Sequence, residues 1–267
     1  MIQNKGSDTM INLAQALAEE YEKVQPGVPI AVSGGGSGVG IASMQNGTVD
    51  IANASREMKQ REKDSTRKRT GKEAIEHVVG YDALAIYVHE NNPLTSIKRS
   101  QLACIYGKAG ACTRWSDLGV EVPGCSGQEI VRVSRQNNSG TYAYFREWTL
   151  EKGQEFKLGS RDLSGSKDVV DLVAHTPCAI GYSGMGYKTD DVKWLCLSKK
   201  DDEPCTEPSL AATLDGSYKL SRPLYMITRG DPSPDVVAYL EWVRSDAGQV
   251  IVERTGYAPL PPDQRSK

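Results

Sequence analysis

From residue 9 to residue 255 the chain alternates between helical and strand-like spacing of its apolar residues. That alternation is the strongest constraint on its fold. A strand feeding a helix feeding a strand builds an α/β protein with largely parallel sheets. Met10, Leu13, Ala14, Leu17, Tyr21 and Val24 mark a helix over 9–23, stopped by Pro26-Gly27. Strands are predicted at 28–32 and 49–52, with a short helix over 39–45 between them. Residues 77–88 (HVVGYDALAIYV) form the longest apolar strand signal. Further helices are expected over 99–106, 141–152, 167–175, 235–244 and 247–255. Further strands are expected over 130–134, 179–182, 192–197 and 224–228. No internal repeat or low-complexity linker interrupts the pattern. With 267 residues, the chain can form one large domain or two lobes.

Charge narrows the function classes. Lys and Arg number 32 against 34 Asp and Glu, giving a formal net charge of −2. A general nucleic-acid binder would carry a basic excess, so that class is disfavoured. No apolar run is long enough to span a bilayer. Residues 59–72 (KQREKDSTRKRTGK) are strongly basic but read as a solvated helix face, because acidic residues elsewhere restore neutrality. The six cysteines include no C-x-x-C pair, and the three histidines are far apart, so no metal site is expected.

An even cysteine count fits either six buried thiols in a cytosolic protein or three disulfides in an exported one, and the disulfide reading is favoured. Cys196 and Cys205 bracket a polar stretch that could hardly bury two thiols, and are expected to pair. Cys112–Cys125 and Cys104–Cys178 are the remaining expected pairs, although spacing does not fix connectivity. The chain begins MIQNKGSD, without a basic-then-apolar signal segment, so an exported form is expected to have lost its signal.

Three turns rich in glycine and hydroxyls each open a helix: Gly6-Ser7-Asp8-Thr9-Met10, Gly34-Gly35-Gly36-Ser37-Gly38 and Asn138-Ser139-Gly140-Thr141. The first N–H groups of a helix have no partner inside it, and with the helix dipole they attract anions. Serine and threonine add neutral O–H donors. Arg135, four residues before Ser139, adds a cation able to form two parallel bonds to an oxyanion. Together these residues read as a site for a small tetrahedral oxyanion. The glycine-rich run GGGSGVG lacks the G-K-[ST] of a Walker A loop, and no acidic residue stands where a dinucleotide fold needs one. There is no G-x-S-x-G nucleophile elbow.

These segments also carry a resemblance. Gly6-Ser-Asp-Thr9, SGGGSGVG (33–40) and NGTVDIANASR (46–56) resemble the opening of the phosphate-binding proteins of bacterial ABC phosphate importers. The resemblance continues in order through GYDALAIYVHENNP (80–93), SRQNNSGTYAYF (134–145), AIGYSGMGY (179–187), DGSYKLSRPLYMIT (215–228) and SDAGQVIVERTGYAPL (245–260), so it covers nearly the whole chain. It implies a type II periplasmic binding fold of two lobes, 1–84 with 222–267 and 85–221, joined by crossing hinge strands. Phosphate would sit in the cleft, at helix N-termini from both lobes. The ligand set it implies is Ser7, Asp8, Thr9, Met10 through its backbone N–H, Ser37, Ser55, Arg56, Arg135, Ser139, Gly140 and Thr141. No cofactor, catalytic residue or metal belongs to it.

The implied role is non-catalytic: capture of inorganic phosphate in the periplasm by a monomer, and delivery to the membrane permease subunits of an importer. Binding of sulfate, molybdate or arsenate, or a phosphoryl or acyl hydrolase, are the alternatives. Two positions depart from the family pattern. Arg56 stands where the best-studied members place an Asp that accepts the phosphate proton, and Asn137 stands where an Asp often pairs with the arginine. Both changes should make the site more positive and put selectivity over sulfate in doubt. Asp8 is then the nearest candidate acceptor. Replacing Arg135 is expected to weaken binding while leaving stability nearly unchanged.

Overall fold

The computed structural model describes residues 1–151 and 153–266. The first half of the chain runs β1 (Ile2–Gly6), α1 (Ile11–Val24), β2 (Ile30–Ser33), α2 (Ser37–Gln45), β3 (Ile51–Ala54), α3 (Gln60–Thr70), β4 (Ala74–His89), β5 (Ser96–Lys98), α4 (Arg99–Tyr106) and β6 (Val131–Arg135). The second half runs α5 (Gly140–Thr149), β7 (Arg161–Leu163), α6 (Ser166–Ala174), β8 (Ala179–Gly184), β9 (Val192–Trp194), β10 (Cys196–Ser198), α7 (Leu210–Leu214), β11 (Ser221–Arg229), α8 (Pro234–Arg244) and α9 (Asp246–Arg254). A one-turn 3-10 segment, Asp8–Met10, leads into α1.

The chain divides into two compact units. The first comprises Met1–Asp82, Asn138–Gly140 and Arg222–Lys267, and the second Ala83–Asn137 and Thr141–Ser221. The sequence reading placed all of 85–221 together, whereas Asn138–Gly140 counts with the first unit. The cause is local: Gly38 N–H donates to Asn138 O (3.1 Å), and Asn138 Nδ2 donates to Gly35 O (3.0 Å).

In the first unit the strand order is β2-β1-β3-β11 and then the opening half of β4. β1 is parallel to β2 and β3, while β11 is antiparallel to β3. One core lies where Met10, Leu13 and Leu17 of the first helical segment meet Tyr239 and Val243 of α8 and Val252 of α9. A smaller one holds Ile41 and Met44 of α2 against Ala52 and Ile227. In the second unit the order is the closing half of β4, then β8, β6 and β7, with β9 also on β4. Its core packs Tyr106, Phe145 and Tyr182 together, with the Phe145 and Tyr182 rings stacked at 3.8 Å. β5 and β10 make a separate two-stranded piece.

Each predicted helix is present, most with ends within two residues of those expected, whereas α7 was not anticipated. The helix expected over 141–152 ends at Thr149, and Lys152 lies outside the described residues. The sheets are mixed rather than largely parallel, because β4 is antiparallel to β8 and β9, as β11 is to β3. β1 was not anticipated: its buried face carries Ile2, Asn4 and Gly6, and only one of these is apolar.

All six cysteines are paired, as Cys104–Cys112, Cys125–Cys178 and Cys196–Cys205. Only the last matches the pairing expected from spacing. Cys104 closes on Cys112 because the chain doubles back after α4: a Cβ on Gly110 would lie 2.1 Å from Cys104 O. Cys125 is left for Cys178, at a Cα separation of 4.9 Å. Loop-closure entropy grows with the residues enclosed, so the separation of 53 for Cys125–Cys178 should matter more than the 8 for Cys104–Cys112. Replacing Cys125 and Cys178 by serine is expected to cost about 4 kcal/mol, and replacing Cys104 and Cys112 about 2–3 kcal/mol. Urea unfolding midpoints of the two variants would check the order.

Candidate anion site

Three loops of the first unit bring serine hydroxyls together. Ser7 follows β1, Ser37 opens α2, and Ser55 follows β3. Ser7 Oγ donates to Ser55 Oγ at 2.9 Å, and Ser37 and Ser55 hydroxyls lie 3.4 Å apart. Ser37 Oγ also accepts the Ser55 backbone N–H at 3.1 Å. All three serines are buried. Three hydroxyl protons and two hydroxyl–hydroxyl contacts leave one O–H for an outside acceptor.

The start of α5 closes on this cluster through Gly140. A Cβ there would lie 2.4 Å from Ser37 Oγ and 2.6 Å from Ser55 Oγ, so only glycine fits without displacing both serines. Gly36 is required as well: its φ is 92°, and a Cβ would stand 2.9 Å from Asn138 O. Ser37 is the first residue of α2, so the N-terminus of that helix lies at the cluster, with Gly140 against it. The α2 dipole puts positive potential where the hydroxyls gather. The arrangement can bind a compact anion through neutral donors. No group of His, Cys, Asp and Glu among the described residues could hold a metal ion.

The other predicted residues take varied places. Thr9 is buried in the 3-10 segment that follows Ser7, and Ser139 is buried just before α5. Met10 was expected to offer its backbone N–H, but that N–H donates to Ser7 O (3.0 Å) and the side chain is in the core. Asp8 Oδ1 accepts from Gly35 N–H at 2.9 Å, which ties the first loop to the second. Thr141, buried, is counted with the second unit.

Arg135, at the end of β6, is buried in the second unit. Its Nε donates to Leu163 O (3.3 Å), its Nη1 to Ser166 Oγ (2.7 Å) and its Nη2 to Ser164 O. The guanidinium therefore also supports the 163–166 loop. Its removal takes a donor from the buried Ser166 hydroxyl, at about 1–3 kcal/mol, and the bonds to the part-buried Leu163 and Ser164 carbonyls go with it. This corrects the expectation that Arg135→Ala would leave stability nearly unchanged.

Arg56 is engaged away from the hydroxyls. Its two Nη atoms bind both Glu62 oxygens, at 2.8 and 2.7 Å, and Nη1 also donates to Glu57 O at 2.8 Å. The carboxylate neutralises it, so Arg56 does not add the positive charge expected from the sequence. Burial alone would raise the Glu62 carboxyl. Hydrogen bonds from Arg56 and the Lys59 backbone, with the Arg56 charge, outweigh that and hold it below its ordinary value. Sequence reasoning missed Glu62, although a Glu three residues after the residue capping a helix is a recognisable signal. It also missed Asp82 and Arg222, two charges set inside apolar strand patterns. A depressed carboxyl stabilises above its unfolded value and loses that stabilisation as pH falls through the folded one. Glu62→Gln is thus expected to cost about 1 kcal/mol near neutral pH. The difference should fade below pH 4.5, measured by denaturant unfolding at stepped pH.

Comparison with known proteins places the chain in a family. A PBP superfamily domain matches residues 1–247. Phosphate-binding protein PstS of Pseudomonas aeruginosa is 36% identical, across 96% of this chain and 82% of its own. A crystal structure from Clostridium perfringens, assigned as a phosphate ABC transporter substrate-binding protein with bound phosphate, is 28% identical, with a TM-score of 0.86 over 97% of this chain and 99% of that one. An ABC-type phosphate transport receptor from Vibrio cholerae is 26% identical, with a TM-score of 0.74 over 98% of this chain and 100% of that one. The chain belongs to the PBP superfamily and, within it, to the family of PstS phosphate-binding proteins.

Proposed function

We propose that this protein binds inorganic phosphate outside the cytoplasmic membrane and delivers it, without chemical change, to the membrane subunits of an ABC importer. The observation that carries the reading is the buried trio Ser7, Ser37 and Ser55, gathered at the N-terminus of α2 beside Gly140, which admits no side chain. Such a site suits an ion that can accept many hydrogen bonds at once. The relatives are named for phosphate binding, and the Clostridium perfringens structure is described with phosphate bound. Three disulfides fit an oxidising compartment.

In this reading the donors are Ser7, Thr9, Ser37, Ser55, Ser139, the Gly140 N–H and Thr141, with Arg135 as the cation. Mostly neutral donors suit a carrier, which must release what it binds. Each hydrogen bond to a charged oxygen contributes about 1.5–3 kcal/mol, so a handful can offset the dehydration of the ion. Asp8 is the acceptor proposed for the phosphate proton, since sulfate at neutral pH has no proton to offer it. Arg56, paired with Glu62, is not counted among the ligands.

Titration calorimetry tests this reading. Phosphate should bind one to one, with sulfate and molybdate weaker by at least about tenfold, or 1.4 kcal/mol. Gly140→Ala pushes a methyl group into two hydroxyls and should weaken phosphate binding by about 1–3 kcal/mol. Arg56→Ala should leave phosphate affinity within about twofold, a change under 0.5 kcal/mol. No heat with phosphate, or full affinity in Gly140→Ala, would reject the site.

A further inference from the structure

Thr9 is gripped by groups that play no part in the ligand set above. Arg222 Nη2 donates to Thr9 Oγ1 at 3.5 Å. The same guanidinium is anchored on Asp82 Oδ2, by Nη2 at 2.9 Å and Nε at 3.2 Å. The Tyr257 hydroxyl donates to Thr9 O. The Asp82–Arg222 pair is almost wholly buried, with side-chain exposures of 0% and 1%. Asp82 Oδ1 has no hydrogen-bond partner among the described residues. Dehydrating two charges generally cancels their attraction, so stability alone gives a weak reason for such a pair.

We infer that Arg222, anchored by Asp82, is a positioning residue for the anion site, acting through the Thr9 hydroxyl; the inference rests on the phosphate reading. A guanidinium has donors and no acceptor. Facing Thr9 Oγ1, it can occupy only a lone pair of that oxygen. The single Thr9 proton is thereby turned away from Arg222, and Thr9 is set as a donor to the ligand. The charge also polarises the O–H bond and strengthens the bond it gives. Tyr257 fixes the backbone of the same residue, so Thr9 is aimed from two sides. Asp82 balances the Arg222 charge, so the orientation is obtained without a second full cation facing the ligand.

A mutant cycle read by titration calorimetry with inorganic phosphate tests this. The variants are Thr9→Val, the paired replacement Asp82→Leu with Arg222→Met, and the triple combination. The paired replacement removes both charges together, which proteins tolerate better than stranding one. Thr9→Val and the paired replacement are each expected to weaken binding about three- to tenfold. The triple variant should bind as Thr9→Val does, because Arg222 has nothing left to orient. Arg222→Lys, which keeps the charge and loses the fork, should weaken binding in the Thr9 protein and not in Thr9→Val; it serves alone if the paired replacement does not fold. Losses that multiply would mean a merely structural role and overturn the inference, as would unchanged affinity in the paired replacement and in Arg222→Lys. Wild-type protein that ignores phosphate would instead overturn the phosphate reading, and the inference with it.

Discussion

Gly140 stands where the first turn of α5 touches two serine hydroxyls, and the contact distances leave no room for a methyl group. Much of the site follows from that close approach. It sets Gly140 against the N-terminus of α2, where the unpaired N–H groups and the helix dipole already favour an anion. It buries Ser37 and Ser55 and makes each the other's neighbour. It also requires the preceding residue pair to dock, which Asn138 does through its carbonyl and its amide on the Gly34–Gly38 loop. A larger residue at 140 would move the helix start and dissolve all of these relations together.

Two arginines next to the hydroxyl residues of the first unit, Arg56 and Arg222, are each matched by a carboxylate. Arg56 is adjacent in sequence to Ser55, yet Glu62 takes both ends of its guanidinium. Arg222 lies within reach of Thr9, yet Asp82 sits beneath it. A site ringed by unmatched arginines would hold a doubly charged oxyanion too firmly for a carrier and would favour sulfate as readily as phosphate. Orientation of neutral dipoles supplies affinity that falls off steeply with distance, so modest movement of the donors suffices for release.

The fold was legible wherever apolar side chains repeat. Helices α1, α4, α6, α8 and α9 have regular buried positions, and the apolar run through 77–88 announced β4. The failures share a cause. β1 turns Asn4 and Gly6 toward the interior, so its period is invisible to hydrophobicity. Strand direction in the sheets, like disulfide pairing, depends on which segments meet in space. The hydroxyl turns were legible because glycine and serine at helix starts have few other uses in such numbers. What those turns could not show was who pairs with whom. Arg56 looked like a ligand until Glu62 was seen across from it, and Met10's N–H looked available until the 3-10 segment gave it to Ser7. Asp82 and Arg222 were hidden by their surroundings: a single charge in an apolar strand reads as noise unless its partner, here 140 residues away, is known.

A serine hydroxyl can both accept and donate, and a rotation about one bond exchanges the roles. This explains why the cluster is built from serines rather than from lysines or arginines. Among three serines two of the hydroxyl protons are taken up by contacts of 2.9 and 3.4 Å, which lowers the penalty of burying them. The same protons can turn toward an anion without any side chain moving far. Buried ammonium groups at these positions would repel one another, shift their protonation and open the site to water. Thr9 differs from the serines in having its lone pair claimed by a cation, and that fixes the direction of its proton in advance. The first unit therefore combines adaptable hydroxyls, which make burial less costly, with one hydroxyl whose oxygen faces a cation.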